Sequence, residues 1–485
     1  MDSLSDNTTV KEVKSTLTTL SKGAAALDDA YSEALERIEG QRASHSKLAK
    51  NVLTWITFAK RPLTTAELCC ALAVEPGETT LDPENKPDVD DIVSVCAGLV
   101  VVDQKSAIIR LVHYTTQEYF ERISSRLSPD GQLGIAETCL TYLSFSVFES
   151  GGCATDKEFK ERLRQHELLD YAAKHCGEHT KCVDAKVAHL ASTLATHSGI
   201  ISCAAQVLYL SSYKYRGYSV HYPAVTGLHW IARFGLCNAA KDFLRKKEDE
   251  TCAVNATDSD GKSSLMYAVE HGHCAMAELL LDKGADVNAQ SYGNALHAAS
   301  VEGHEQIVKL LLDKGADVNA QGGFYGSALY AASDRGHEQV VKLLLDKGAN
   351  VNLQSGRRYE NTLYVASAKG YKQIVKLLLD KGADVNAQGR HYGNALQAAS
   401  AEGHEQVVKL LLNKGADVNA QGGFYGNALQ AASVKGHKQI VKLLLDKGAN
   451  VNAQGRDYGN ALEAASYRGH KQIVKLLLDK GAIQF

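Results

Sequence analysis

One glycine position recurs through the C-terminal half of the chain at a nearly fixed interval. It stands in the phrases EGH, RGH, KGY and KGH, at Gly303, Gly336, Gly370, Gly403, Gly436 and Gly469, with spacings of 33, 34, 33, 33 and 33 residues. A period of this size demands a stack of like units, each packing on a near copy of itself. Looser copies precede these, at Gly272 in LMYAVEHGH and Gly235 in LHWIARFGL, so about eight units run over residues 226–485.

Each unit reads as a helix pair followed by a turn. Asn294, Ser327, Asn361, Asn394, Asn427 and Asn460 each precede an Ala/Leu-rich segment. Their side-chain oxygens suit the N-cap, where an orphan helix N–H needs an acceptor. The first helix then ends at the recurring glycine, which tolerates a left-handed C-terminal residue. The second helix, EQIVKLLLDK, stops at Gly315 and its equivalents, and its apolar residues cover most of its circumference. Ala298 and Ala299 allow the first helix a close approach to its neighbours. The stretch ADVNAQGGFYG carries turn residues and predicts a projecting finger. Two helices of some ten residues bury too little between themselves to offset about 1.5 kcal/mol of ordering entropy per residue. Stacked neighbours supply the rest, which is why the letters repeat.

GKSSLMYAVEHGHCAMAELLLDKGADVNAQ resembles the ankyrin repeat, with Asp258 and Gly261 at the family's DxxG turn. Later units depart from that turn, with Gly322 in place of the Asp and Tyr325 in place of the Gly. The resemblance implies a concave face of fingers and first helices that binds a protein partner. Early in the first helix the copies differ at His297, Tyr330, Tyr364, Gln397, Gln430 and Glu463. Late in it they differ at Val301, Asp334, Ala368, Ala401, Val434 and Tyr467. The fingers vary at Phe324, Arg357, Arg358, Arg390, His391, Phe424, Arg456 and Asp457. A tyrosine recurs at Tyr292, Tyr325, Tyr359, Tyr392, Tyr425 and Tyr458. Tyr beside Arg is interface hot-spot chemistry, large in area and low in side-chain entropy. A tyrosine present in every copy equally suits finger-to-finger packing. Lys309, Lys342 and Lys376 read as a solvated face.

The first 225 residues show no period. Helical patterns run over 27–39 and 46–59, TTAELCCAL carries a capping box from Thr64 to Glu67, and another helix follows near 89–97. Two apolar runs, GLVVVD and AIIRLV, then predict a hairpin, giving a winged helix over 46–125. RPLTTAEL and LVHYTTQEYF resemble the winged-helix part of fungal NACHT proteins of the NOD-like-receptor class, a module named for a region of GPI inositol-deacylase. The resemblance implies that residues 1–45 are the helical linker trailing an ATPase core, and that His113 holds the place of a nucleotide-phosphate sensor. A helix-capping or core role is the other reading of His113. A P-loop is not found; ATDSDGKSS at 256–264 begins with Ala256 and falls in a repeat turn. Residues 126–225 read as helices that bridge to the first repeat and cap it.

Other chemistry finds little support in the residues. HCGEHTKC places His175, Cys176, His179 and Cys182 close together, but LLDYAA upstream predicts a plain helix rather than a zinc site. HEQIV lacks the second His of a zinc protease, and there is no G-x-S-x-G elbow. Cys69 and Cys70 lie in an apolar helix. Asp88, Asp90 and Asp91 on the would-be recognition helix repel phosphate. The formal charge of −3 divides into about +6 from Gly293 onward and −9 before it, which predicts no attraction to nucleic acid or membrane. Eleven cysteines without an export signal or a long apolar run point to the cytoplasm, with the nucleus left open.

The sequence therefore predicts a mainly α protein, a winged-helix and helical region followed by an ankyrin-repeat α-solenoid. It is expected to be a non-enzymatic scaffold or adaptor for another protein, without cofactor or metal. The alternative is the regulatory C-terminal part of a NOD-like switch acting with an ATPase-bearing chain. The last unit ends KQIVKLLLDKGAIQF and keeps an internal copy's apolar helix, which predicts either self-association or fraying.

Overall fold

A computed structural model of the chain describes residues 27–210, 222–247, 250–291, 293–323, 325–353, 361–389, 393–455 and 459–483. They form two compact units, Met1–Glu250 and Thr251–Phe485.

In the first unit, α1 covers 27–39 and α2 covers Ala43–Phe58. Next come β1 (Leu63–Thr64), α3 (Thr65–Leu72), α4 (Val89–Val95), β2 (Val100–Val102), β3 (Ile108–Leu111) and α5 (Tyr114–Arg122). The capping box at Thr64 is present: Thr64 Oγ1 accepts from the Glu67 amide at 3.2 Å, and a Glu67 carboxylate oxygen accepts from the Thr64 amide at 2.8 Å. Arg61 grips the same carboxylate with two bonds, of 3.0 and 2.6 Å. The sheet has three strands in the order β1-β3-β2, all antiparallel, where the sequence predicted a two-stranded hairpin. The N-cap of a helix is extended backbone. Leu63 and the capping Thr64 are therefore already strand-like, and they add to the free edge of β3. Val52, Leu53, Leu68, Ile92 and Phe120 form the buried centre. Cys69 and Cys70 are buried in α3, where desolvation pushes the Cys70 thiol up to about 11.

After a single turn of helix at Ser124–Leu127, five longer helices follow: α6 (Gly131–Leu143), α7 (Asp156–Gln165), α8 (Leu169–Cys182), α9 (Asp184–Thr196) and α10 (Ser198–Leu210). The segment HCGEHTKC is helical, as predicted, and its side chains diverge. Cys176 and His179 are buried while Cys182 is exposed. Among the described residues no His/Cys/Asp/Glu group could hold a metal ion. His179 instead joins three elements. Its Nδ1–H donates to Gln132 Oε1 on α6 at 2.7 Å, and its Nε2 accepts from Tyr171 Oη on α8 at 2.8 Å. Tyr171 Oη in turn accepts the Lys60 amide, just beyond α2, at 3.1 Å.

The first helix pair of the periodic region, Gly227–Phe234 and Cys237–Arg245, belongs to this unit and packs on α9. Asp184 at the start of α9 accepts from the amides of Asn238 and Ala239, at 2.6 and 3.2 Å. It supplies the N-terminal capping that the second helix of this pair lacks from its own chain end.

The second unit contains repeats 2–8. Their first helices are Ser264–Glu270, Ala295–Glu302, Ala328–Arg335, Thr362–Ala368, Ala395–Glu402, Ala428–Lys435 and Ala461–Tyr467. Their second helices are Cys274–Asp282, Glu305–Asp313, Glu338–Asp346, Lys372–Asp380, Glu405–Asn413, Lys438–Asp446 and Lys471–Asp479. The expected caps form: Asn394 Oδ1 accepts the Gln397 amide at 3.0 Å, and Gly403 ends its helix at φ 84°. Two ladders of side-chain bonds link successive repeats. In one, the turn asparagine of a repeat clasps the next turn. Asn419 Nδ2 donates to Gly448 O at 3.1 Å while Asn419 Oδ1 accepts the Asn450 amide at 2.7 Å. Asn255, Asn288, Asn319, Asn352, Asn386 and Asn452 do the same. In the other, the histidine after the recurring glycine reaches back: His437 Nε2 donates to Ala401 O at 3.0 Å and His470 Nε2 to Val434 O at 3.0 Å. A Cβ on Gly403 would lie 2.7 Å from the His437 ring, so that position needs glycine for space as well as for φ. In repeat 8, Tyr467 and Leu478 are exposed, whereas their counterparts Val434 and Leu345 are buried.

Two predictions follow from this packing. Burial lowers the pKa of His179 to about 3, with Lys60 and His175 adding to the effect. Its proton is taken up only on unfolding, so its contribution is whole above about pH 6.5 and is lost as pH falls toward the folded value. The first unit should lose about 2 kcal/mol between pH 7 and 5, read as a shift in urea midpoint, and His179→Gln should flatten that dependence. In the ladder, Asn419→Asp keeps the acceptor but sets a carboxylate against Gly448 O. It should destabilise the solenoid by about 1–2 kcal/mol, at least as much as Asn419→Ala, by chemical denaturation.

Candidate functional site

A partner can read only side chains that the stacking leaves free. In the first helices the early variable position is not one of them. His297, Tyr330, Tyr364, Gln397 and Gln430 are all buried, which corrects the expectation that these residues vary because they face outward. His297, Gln397 and Gln430 hold the base of the next finger. Gln430 Nε2 donates to Ala453 O at 2.9 Å and Gly459 O at 2.7 Å, and Gln397 does the same to Ala420 O and Gly426 O. His297 Nε2 donates to Gly326 O at 3.2 Å. In repeats 4 and 5 the slot is aromatic: Tyr330 and Tyr364 pack with Val365 and Ala398. The slot varies because an amide and a ring can each fill it.

The late variable position is half-buried at Val301, Asp334 and Ala368 and buried at Ala401 and Val434. The exposed residue is the next one along. Glu302, Arg335, Lys369, Glu402, Lys435 and Arg468 form an exposed charged column, one per repeat. The sequence held a signal for it, since the residue before the recurring glycine changes charge from copy to copy.

The fingers are built differently in different repeats. In repeat 2, Asp258 Oδ1 accepts the amides of Asp260 and Lys262, both at 2.8 Å, and Asp258 Oδ2 accepts from Tyr267 Oη at 2.7 Å. In repeats 4 and 7 backbone pairing takes over: the Gly322 amide donates to Gly326 O at 2.9 Å, and that of Gly422 to Gly426 O at 2.8 Å. In repeat 7 this closes GGFYG into a tight hairpin, within which Phe424 is 53% exposed and its ring meets Tyr425 edge-on at 5.1 Å. Tyr325 and Tyr425 are half-buried. Tyr325 packs on the Tyr330–Tyr364 cluster, and its Oη accepts from Arg335 Nη2 at 2.9 Å. The candidate residues Tyr292, Phe324, Arg357, Arg358, Tyr359, Arg390, His391, Tyr392, Arg456 and Tyr458 lie outside the described residues.

His113 is the N-cap of α5. Its Nδ1 accepts the Thr115 amide at 3.3 Å and contacts Thr115 Oγ1 at 2.8 Å.

Comparison with known proteins agrees with this geometry. The ankyrin-repeat family matches residues 228–322, 328–422 and 396–484, over half of the chain. The chain is an ankyrin-repeat protein. Its residues 36–128 also match the winged-helix domain described for GPI inositol-deacylase. The chain is 32% identical over 272 residues to azaphilone pigments biosynthesis cluster protein L of Monascus ruber, covering 49% of this chain and 55% of that one. It is 39% identical over 83 residues to the B-cell lymphoma 3 protein homolog of Mus musculus, covering 16% and 18% respectively. The chain thus spans about half the length, or less, of these curated relatives. Among solved structures, the human ASB11 ankyrin repeat domain is 26% identical, with a TM-score of 0.42, over 46% of this chain and 100% of that one.

The half-buried and exposed finger aromatics of the ankyrin repeats should separate experimentally. Tyr325→Ala should lower stability by about 1–2 kcal/mol, because it opens an aromatic cluster and removes a hydrogen bond. Phe424→Ala should change it by less than about 0.5 kcal/mol. Thermal unfolding of the two variants measures both.

Proposed function

We propose that this ankyrin-repeat protein is a non-enzymatic adaptor that holds a partner protein along its fingers and first-helix ends. One observation carries the reading: the repeated side chains are engaged between repeats, while the exposed positions on this side differ from copy to copy. A surface that stacking does not constrain and that still varies can encode a partner. Tyr325, Arg335 and Arg468 supply the Tyr and Arg in which interface hot spots are rich, with Phe424, Lys369 and Lys435 beside them. The finger residues Arg357, Arg358, Arg390, His391 and Arg456, with Tyr292, Phe324, Tyr359, Tyr392 and Tyr458, would extend the same surface.

A second reading makes the chain the regulatory part of a NOD-like switch that acts with a separate ATPase-bearing chain. The match of residues 36–128 to a winged-helix domain favours it, with His113 as a vestigial nucleotide sensor. In that case ATPase activity would co-purify with the tagged chain and vary with His113→Ala.

The adaptor reading predicts a face-specific loss of binding. In affinity capture from the native organism, Arg335→Ala, Lys369→Ala, Phe424→Ala and Lys435→Ala combined should reduce the captured partner by at least about tenfold. The second-helix set Lys309→Ala, Lys342→Ala, Lys376→Ala and Lys409→Ala should leave it unchanged, with equal melting temperatures. Equal capture by both variants would refute the reading.

A further inference from the structure

The winged-helix domain carries a cavity of about 390 Å³ among β1, β3 and the start of α5. Its floor is apolar, with Ile56, Leu63 and Ile109, and its lining holds the cations Lys60, Arg61 and Arg110 together with His113, and no carboxylate. Arg61 is already neutralised by Glu67 and Asp170, at 2.6 and 3.0 Å. Among the described residues neither Lys60 nor Arg110 sits in an ion pair, although the Asp103 carboxylate acts on Arg110 electrostatically. The His113 Nδ1 is an acceptor from Thr115, so Nε2 bears the ring's hydrogen.

The backbone beside this cavity is also open. The β1–β3 ladder consists of Thr64↔Ile108 and Leu63↔Ile109, and it stops where Pro62 begins. Antiparallel pairing alternates its hydrogen-bonding edge, so Leu111 offers its N–H and C=O on the same edge as Ile109. It lines the cavity, and its backbone has no partner there among the described residues. Beside it Val112 is 39% and Tyr114 69% exposed, and the Tyr114 ring lies 4.4 Å from that of His113.

We propose that this cavity docks an extended acidic peptide segment of a partner protein. The segment would pair with Leu111 as a short added strand and set an apolar side chain over Ile56 and Leu63. Its carboxylates would meet Lys60, Arg110 and the His113 N–H. Each part answers one unmet feature: strand addition uses the open edge, acidic side chains answer the cations that lack an ion pair, and an apolar residue fills the floor. This site lies in the first unit and does not depend on the solenoid's role.

The test uses the full chain, a fluorescein-labelled peptide EDVELDE and its neutral counterpart QNVQLNQ, with anisotropy as readout. The acidic peptide should bind at least about tenfold more tightly, weaken as salt rises, and lose about tenfold on Lys60→Glu with Arg110→Glu. If charge reversal lowers the melting temperature, Lys60→Gln with Arg110→Gln carries the test. Hydrogen exchange over residues 108–114 should slow when the acidic peptide binds, and the solenoid variant altered at Arg335, Lys369, Phe424 and Lys435 should bind it normally. Equal binding of both peptides, unchanged exchange over 108–114, or displacement of the acidic peptide by Mg·ATP or a DNA duplex would overturn the proposal.

Discussion

The solenoid depends on one kind of contact: a side chain of one repeat satisfying the backbone of the next. The turn asparagine clasps the following turn, the histidine after the glycine bonds the preceding first helix, and the third residue of the first helix holds the next finger. An isolated helix pair would expose these carbonyls and amides to water and gain little from pairing them. In the stack the partners are preplaced and the bonds shield apolar seams such as Ile440, Val441 and Leu444. Stability then grows as nearest-neighbour terms along the row. Each repeated letter is fixed by what the adjacent repeat presents, which explains why the period is strict at Asn419 and Gly403 and loose at the finger tips.

The sequence disclosed whatever obeys a local rule. The caps at Asn394 and Thr64, the glycine stops and the helix pairs all follow from groups a few residues apart. The first-helix residues His297, Tyr330, Gln397 and Gln430 were less legible. Variation among copies suggested a free surface, yet the slot is buried and accepts either a hydrogen-bonding amide or a packed ring. The polar members, His297, Gln397 and Gln430, bond a carbonyl 23 or 29 residues on, and that register becomes visible only once the stack is formed. The turn asparagines were overlooked for the opposite reason. Asn in a turn already has a sufficient local explanation, and its second bond lies in the next repeat. The third strand escaped notice because two extended residues carry no alternation to detect.

The first unit holds one helix pair of the periodic region, and the second helix of that pair begins without a side-chain cap from its own N-cap residue, Leu236. Asp184 takes that place at the second helix of repeat 1, as a carboxylate aimed at two helix-start amides. Ser192, Asp242 and Lys246 continue the junction on the neighbouring turns, with Lys246 Nζ donating to Ser192 Oγ at 2.8 Å. Capping in this unit is thus done by a dedicated helix, α9, rather than by a repeat with a polar outer face.

Charge placement bears on how such a surface could select a partner. At the ends of the second helices a lysine of one repeat meets an aspartate of the one before: Lys314 with Asp282, Lys347 with Asp313, Lys381 with Asp346, Lys414 with Asp380. These pairs are exposed and contribute little stability each, but the charges within each pair offset one another. The row is interrupted where Asn413 replaces the aspartate, and Lys447 has no carboxylate partner among the described residues. On the first-helix side no such pairing rule holds. Glu302, Arg335, Lys369, Glu402, Lys435 and Arg468 run as a directional triplet of one acid and two bases, repeated twice at one charge per repeat. At physiological salt exposed charges act over roughly 8 Å. A partner would therefore meet this column as an ordered series of local signs rather than as one broad field. That arrangement selects for sequence and register along an extended contact, and it is what a stack of near-identical units needs if it is to tell one end of a ligand from the other.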